Sequence, residues 1–584
     1  MGGYMKQIKK IYQQYYEVIT KYIFPIILFL YPFLTVNQGV DVSDSTYSFS
    51  NFLFFERMEG MWVVSTYVSN VVGWLLTKLP FGTTLLGMKI YATLLISGTV
   101  LLVYFMFRKW MPAWIAFVGE MIAIGFCWIP TGILYNYLSY FLFTLGAVLL
   151  YQGLVEEKDK MLILAGVALG VNVFVRIPNL TEMALIVGLW YYLASKRKKL
   201  NVIIEKTIKC LIGYIAGVAI PLVMVLIQFG FSGISDMILG LTSVGSADDT
   251  YSIWSMIMSV IDAYKRTSKW VFLIVLGIAM GMAMFFCFKG KLETLKKLVY
   301  VAGMAILLRF LWGRGMFSFR YYEDYSSMYE WGMIGLYLIW IAAIYMLVSN
   351  KNSLEEKLWA VMVLVITLVT PLGSNNYTFQ NLNNLFITMP FAFYTYVKLF
   401  RRKAGVGMIS RITFPWKAML AMLWAAIMIQ SVGFHSQFVF RDGMDGTKRS
   451  YEFEEPKVLA GMRTTEGNGE ALQTLLQYLE ERDMEQQEVI LYGDCPGLSF
   501  LLDMPFAIGT SWPDLASYPY ETFVRDLERL EKAPMVIIRN VSIGGEQSVQ
   551  KKEYLTAFMN TNEYVNIYNN GTYGVYVTQR ENVK

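Results

Sequence analysis

The feature that most constrains this chain is a recurring apolar run about as long as a bilayer is thick. A helix needs roughly 20 mostly apolar residues to cross the hydrocarbon core. Such runs recur at 21–37, 83–107, 112–130, 135–154, 161–176, 180–195, 207–229, 269–288, 298–312, 331–348, 357–372, 384–400 and 416–435. Lipid offers backbone groups no partners, so each run must satisfy its own hydrogen bonds as a helix. The expected fold is an α-helical polytopic membrane protein with about thirteen transmembrane helices. Composition agrees: 55% of the 584 residues are hydrophobic and only 16% are charged, where an ordinary soluble domain carries about a quarter.

The short loops between runs test that count. "KQIKK", "RK" at 108–109, "EEKDK" at 156–160, "SKRKK" at 195–199, "KGKLETLKK" at 289–297, "SNKNSLEEK" at 349–357 and "KLFRRK" at 398–403 all fall in alternate gaps. The other gaps are poor in Lys and Arg, with exceptions such as Arg176, Arg314 and Arg320. Positive residues mark cytoplasmic loops. The N-terminus is therefore expected in the cytoplasm, with a retained first anchor rather than a cleaved signal peptide. An odd number of crossings then places the C-terminal region outside.

Charge divides the chain as well. Residues 436–584 hold 14 Lys+Arg and 23 Asp+Glu, a net of −9, and the preceding 435 residues carry +15. The basic residues sit in short loops, so they report topology and not nucleic-acid binding. Four scattered cysteines and a single histidine, His435, provide no CxxC or Cys/His metal spacing and no His-based triad.

Four outside loops are long or polar: 38–82, 230–268, 313–330 and 371–383. Long loops gathered on one side of a bundle usually carry function. Within the first, "FERMEGMWVVSTYVSNVVGWLL" has the pattern of a helix lying along the membrane interface, as does "IWSMIMSVIDAYKR" at 253–266. Residues 436–584 read as a small α/β domain, with helices at 467–482, 521–532 and 551–560 and strands at 487–493, 534–539, 563–568 and 572–577.

The first outside loop, "GVDVSDSTYSFSNF", holds Asp41 and Asp44. A carboxylate there can cap the following helix. It can also serve as a general base that deprotonates an attacking hydroxyl, an effect of ~10²–10⁴ in rate. One carboxylate suffices for a single inverting displacement at a sugar carried on a lipid phosphate. A hydrolase would want an acid partner as well.

A basic N-terminus, one helix and then an outside loop with Asp-Ser-Thr-Tyr (Asp44 to Tyr47) before an interfacial helix resembles the GT-C superfamily of polytopic glycosyltransferases, the group of the protein O-mannosyltransferases and the aminoarabinose transferase. Those relatives usually show Asp-Glu followed shortly by Tyr, and this chain lacks the second acid. "WIPTGILYNYLSYFLFTLGAVLLYQGL", "AGVALGVNVFVRIPN" and "VILYGDCPGLSFLLDMPFAIGTSWPDL" also resemble parts of such proteins. The resemblance implies a transferase in a bacterial cytoplasmic membrane that moves a sugar from an outward-facing polyprenyl-phosphate donor to an extracytoplasmic glycan, lipid or protein acceptor. By residue matching it makes Asp44 the base, with Asp41 as the alternative and Tyr47 beside the sugar. It implies no firm cofactor and leaves a divalent metal open.

Other outside residues suit such a site. Arg176, in "VRIPN", offers a bidentate fork for a phosphate or simply snorkels. Arg314 and Arg320 stand among aromatics, with Glu323 and Asp324 as further carboxylates for an acceptor. Asn375, Asn376, Asn381, Asn383 and Asn384 can bind sugar hydroxyls or form a turn. Glu120, mid-span, raises the alternative of a transporter or flippase for a lipid-linked sugar. A non-catalytic cell-envelope scaffold is the third reading.

Overall fold

The computed structural model describes residues 14–58, 60–128, 134–247, 252–285, 292–321, 326–401, 414–442, 448–484, 487–541 and 544–579. Helix occupies every expected span: Tyr16–Phe33, Leu85–Phe107, Ala113–Phe126, Leu134–Val155, Asp159–Val173, Ile177–Leu185 running into Ile186–Ser195, Leu200–Ala247, Ile253–Met284, Glu293–Gly313, Ser326–Val348, Leu354–Val369, Thr388–Arg401 and Trp416–Gln437. Among the described residues seven helices are long and apolar enough to cross a membrane, an architecture consistent with a helical membrane protein.

Local chemistry sets several helix ends. Thr84 accepts from Gly87 N at the start of Leu85–Phe107. Ser353 and Glu356 form a reciprocal capping box at the start of Leu354–Val369. Glu356 is also engaged by Lys398 and Tyr394, which ties that helix to Thr388–Arg401.

The "GVALG" pattern at 166–170 meets a second small-residue pattern, "GYIAG" at 213–217. A Cβ on Gly166 would lie 2.0 Å from Cys210 O, and one on Gly213 would lie 2.0 Å from Ile163 O. The two helices touch backbone to backbone, the close approach that small residues allow in membranes.

Two of the long helices differ from expectation. The segment 253–266 was expected to be an interfacial helix separate from the span at 269–288, but it runs on unbroken as Ile253–Met284. No Gly or Pro interrupts "AYKRTSKW", so the charged residues stay on the helix. Leu200–Ala247 likewise extends past the expected end of its span, broken only at Gly230, which has φ 65°.

The C-terminal region matches its expected elements closely. A short antiparallel pair, β1 (Tyr451–Glu452) and β2 (Arg463–Thr464), precedes helix Glu466–Glu480. A four-stranded sheet follows, with β3 (Val489–Tyr492), β4 (Met535–Arg539), β5 (Tyr564–Asn569) and β6 (Tyr573–Thr578) in the order β3-β4-β6-β5. β3 and β4 are parallel, and the other pairs are antiparallel.

Successive strand residues point to opposite faces. Leu491, Ile537, Val575 and Val577 therefore join the core that includes Leu472 and Leu475. Ile490, Tyr492 and Val536 pack instead with Phe523, Leu527 and Leu555. The sheet lies between two helical layers, and the first of its cores is continuous with that of the long apolar helices.

Candidate functional site

The loop that follows Tyr16–Phe33 packs onto the strand-containing C-terminal region. Gly39 N donates to Arg463 O (2.7 Å) and Arg463 N to Asn37 O (2.8 Å), which adds the loop to the β2 edge. Val40 N donates to Asp442 Oδ2 (2.9 Å), and Gly497 N donates to Val42 O (2.8 Å). From the membrane side Lys89 Nζ donates to the carbonyls of Gln38 (2.6 Å) and Gly39 (3.0 Å). Hydrogen bonds thus tie residues 37–42 both to the C-terminal region and to the helix that carries Lys89.

The stretch after Ser43 was expected to be non-helical. It is helix, Asp44–Leu53, followed by short helices Phe55–Arg57, Gly60–Val64 and Tyr67–Thr77 in place of one interfacial helix. Asp41 explains the start. Its Oδ1 accepts from Ser43 N (2.9 Å), its Oδ2 accepts from Ser45 N (2.9 Å), and the Ser43 hydroxyl also donates to it. Asp41 is buried, and both its oxygens are committed to holding the first turn. It acts as a cap.

Asp44 stands one turn on and is different. Its side chain is 34% exposed, and Oδ2 lies 3.2 Å from Arg441 Nη2. Burial pushes its carboxyl up to about 6, Arg441 opposes this, and the charges of Asp41 and Asp494 add to it. Arg441 Nη1 also contacts Asp494 Oδ2 (3.1 Å) and donates to Ser43 Oγ (2.9 Å). Burial works against the Arg441 cation, but the three surrounding carboxylates hold it charged.

Asp494 reaches this point because β3 ends in a tight turn. Gly493 has φ 105°, and a Cβ there would lie 2.2 Å from Arg539 O, so only glycine fits. Asp514 Oδ2 accepts from Asp494 N (2.8 Å), and burial pushes Asp514 up to about 6. Arg539, at the end of β4, donates to Asp494 O (3.3 Å). The cluster therefore sits at the carboxyl ends of the two parallel strands, where open α/β sheets place ligands.

The remaining expected residues divide. The Tyr47 ring packs edge-on to Trp512, with centroids 5.2 Å apart. Tyr135 is within electrostatic reach of both Tyr47 and Tyr140, and Tyr140 is within reach of Arg176. Arg176 donates to Gly373 O, which joins it to the 371–383 loop. A row of rings links that loop to Arg441, which lies over Phe440. Phe440 meets Trp128 (5.4 Å), Trp128 meets Phe379 (4.8 Å), and Phe379 meets Tyr329 (4.5 Å).

Asn375 is half-buried, and Asn376 is exposed in a turn closed by Ser374 Oγ. Asn381 and Asn384 donate to Thr367 O and Thr370 Oγ1, and Asn383 accepts from Trp128 N (2.7 Å). These three amides hold helix ends, while Asn381 Oδ1 is buried with no hydrogen-bond partner among the described residues. Arg314 lines another cleft, with Lys269, Trp270, Phe310 and Glu330, a set that includes none of Asp41, Asp44 or Arg176. Arg320 is exposed near it in sequence, and Glu323 and Asp324 lie outside the described residues.

Sequence reasoning passed over Arg441, Asp494 and Asp514. The available signal was "YGDC" directly after a buried strand. Among the described residues no group of three His, Cys, Asp or Glu side chains is arranged to hold a metal ion. No family model, no curated protein and no solved structure matches the chain.

Proposed function

We propose that this chain is an integral membrane glycosyltransferase of GT-C type. It spans the membrane about thirteen times, with its N-terminus in the cytoplasm and its C-terminal domain outside. It moves a sugar from an outward-facing polyprenyl-phosphate donor to an extracytoplasmic acceptor. The observation that carries the reading is Asp44: a partly open carboxylate, poised near neutral pH, against a cation and at the carboxyl ends of β3 and β4.

In the proposed reaction Asp44 takes the proton of the acceptor hydroxyl. The acceptor oxygen bonds to the anomeric carbon as the bond from that carbon to the phosphate oxygen breaks. The electron pair leaves with the phosphate, and the configuration inverts. Arg441 is the cation nearest the base and can face the leaving phosphate as a planar fork. Arg176 and the ring row from Phe440 to Tyr329 supply a second cation and an aromatic surface for the sugar or the isoprenoid chain.

The test is transfer by membranes bearing the full chain, given a panel of radiolabelled polyprenyl-phosphate sugars. Asp44→Asn is expected to lower transfer by ~10²–10⁴ with unchanged folding. Unchanged transfer would remove Asp44 from the mechanism.

A second reading rests on Glu120, which is fully buried with neither carboxyl oxygen hydrogen-bonded among the described residues. An uncompensated acid at membrane depth suits proton-coupled flipping of a lipid-linked sugar. That reading requires Glu120→Gln, and not Asp44→Asn, to abolish translocation in proteoliposomes.

A further inference from the structure

Away from Asp44, the C-terminal sheet carries a second cleft of about 480 Å³, within the size range of small-ligand sites. Its floor is Gly574 of β6, paired with Ile538 of β4 on one side and Asn569 of β5 on the other. A Cβ at this glycine would lie 3.1 Å from the Tyr576 ring and 3.4 Å from Asn566 Nδ2. The missing side chain is what leaves room between the ring and the amide. Asn566 and Tyr576 are direct cross-strand partners, so both stand on this face. The opposite wall is helix Glu546–Thr561, which contributes Lys552, Thr556 and Asn560.

The chemistry of this lining is selective. Four asparagines, Asn540, Asn560, Asn566 and Asn569, converge with Tyr564 and Tyr576. The side-chain amides of Asn560 and Asn566 and the Tyr576 hydroxyl make no hydrogen bond among the described residues. The rim, by contrast, is fixed: Asn540 Nδ2 donates to Gly571 O (3.3 Å), and Asn569 Oδ1 accepts from Gly571 N (2.8 Å). Among the described residues Lys552 is the one charged residue of the lining, and no carboxylate lines the cleft.

Amides both donate and accept, as a ligand made of hydroxyl groups requires. A tyrosine ring offers an apolar face with a polar tip, which matches a pyranose with C–H groups on its faces and hydroxyls around its edge. An anionic ligand would find a single cation here, and a cationic ligand would find none of the acids it needs.

We infer that this cleft binds a neutral glycan, at a site separate from Asp44. The inference does not depend on the transferase reading. It is tested on the full chain in nanodiscs, titrated with cellotetraose, chitotetraose and mannotetraose and followed by saturation-transfer NMR and calorimetry. At least one should bind saturably. Asn566→Ala and Tyr576→Phe should each weaken it about tenfold without changing the melting temperature, and Asp44→Asn should leave binding intact. Absence of saturable binding by all three neutral probes overturns the inference. So does tighter binding of tetragalacturonate that is lost in Lys552→Ala, because the ligand class would then be acidic. Neutral-glycan binding that survives both the Asn566 and Tyr576 substitutions places the site elsewhere and also overturns it.

Discussion

Arg441 Nη2 lies 3.2 Å from Asp44 Oδ2, and the same guanidinium turns its other amino group to Asp494. One cation is thus shared by carboxylates from opposite ends of the chain. It favours the ionised form of Asp44 against the burial that pushes its carboxyl up to about 6. Removing it should raise Asp44 further. In Arg441→Gln the acid limb of the transfer rate should move upward by about one pH unit, because the base must be ionised to act. A pH–rate profile of sugar transfer checks this, and an unmoved limb would show that Arg441 does not tune the base.

Asp41 and Asp44 should separate cleanly. Asp41→Ala orphans the N–H groups of Ser43 and Ser45, at about 1–3 kcal/mol for a buried unsatisfied group. It should lower the melting temperature and reduce transfer only through lost fold. Asp44→Asn should leave the melting temperature near wild type while abolishing transfer. Thermal unfolding of both purified variants beside the transfer assay distinguishes the two.

Docking of the first loop can be broken from the other side. A Cβ on Gly497 would lie 1.7 Å from Thr46 Oγ1 and 2.9 Å from Val42 O. Overpacking of this kind costs about 1–3 kcal/mol. Gly497→Val should therefore melt earlier and release the C-terminal domain faster under limited proteolysis. Gly544→Ala, at a position with nothing within 4 Å, is the control and should behave as wild type.

Asp514 gives a pH-dependent signature. Burial raises its carboxyl from 3.8 to about 6, so the folded state binds more protons than the unfolded state between those values. Its favourable contribution is complete below the unfolded value and is lost as pH rises through about 6. Asparagine keeps an acceptor for Asp494 N and does not titrate. The stability of Asp514→Asn relative to wild type should rise from pH 4 to pH 7, by on the order of 2–3 kcal/mol. Melting curves of the two proteins across that range provide the measurement.

Much of the fold was legible because its signals are local. An apolar run of bilayer length is read directly, and "VILY" and "MVIIR" between helical patterns announce buried strands. The helix at Asp44–Leu53 was not legible. "DSTYSFSNFL" contains few strong helix formers, and it folds that way because Asp41 caps it and Phe49 and Phe52 are buried. The bond between Val40 and Asp442 spans 402 positions. No periodicity reveals it, and a lone Arg441 in a turn reads as a solvated charge. Asp44 was singled out by its place beyond the first span, but its counter-ion could only be found in three dimensions.

That long-range stitching has a consequence for biogenesis. The first loop is made early, and its partners at Asp442, Arg463 and Gly497 follow some 400 positions later. The helices between them are made before the loop can acquire these neighbours, so Asp44 is made well before Arg441. Chains that stop before Arg441 carry Asp44 but never its counter-ion. The pairing of Asp44 with Arg441 and its link to Asp494 therefore form only after the segment that carries both partners has been made.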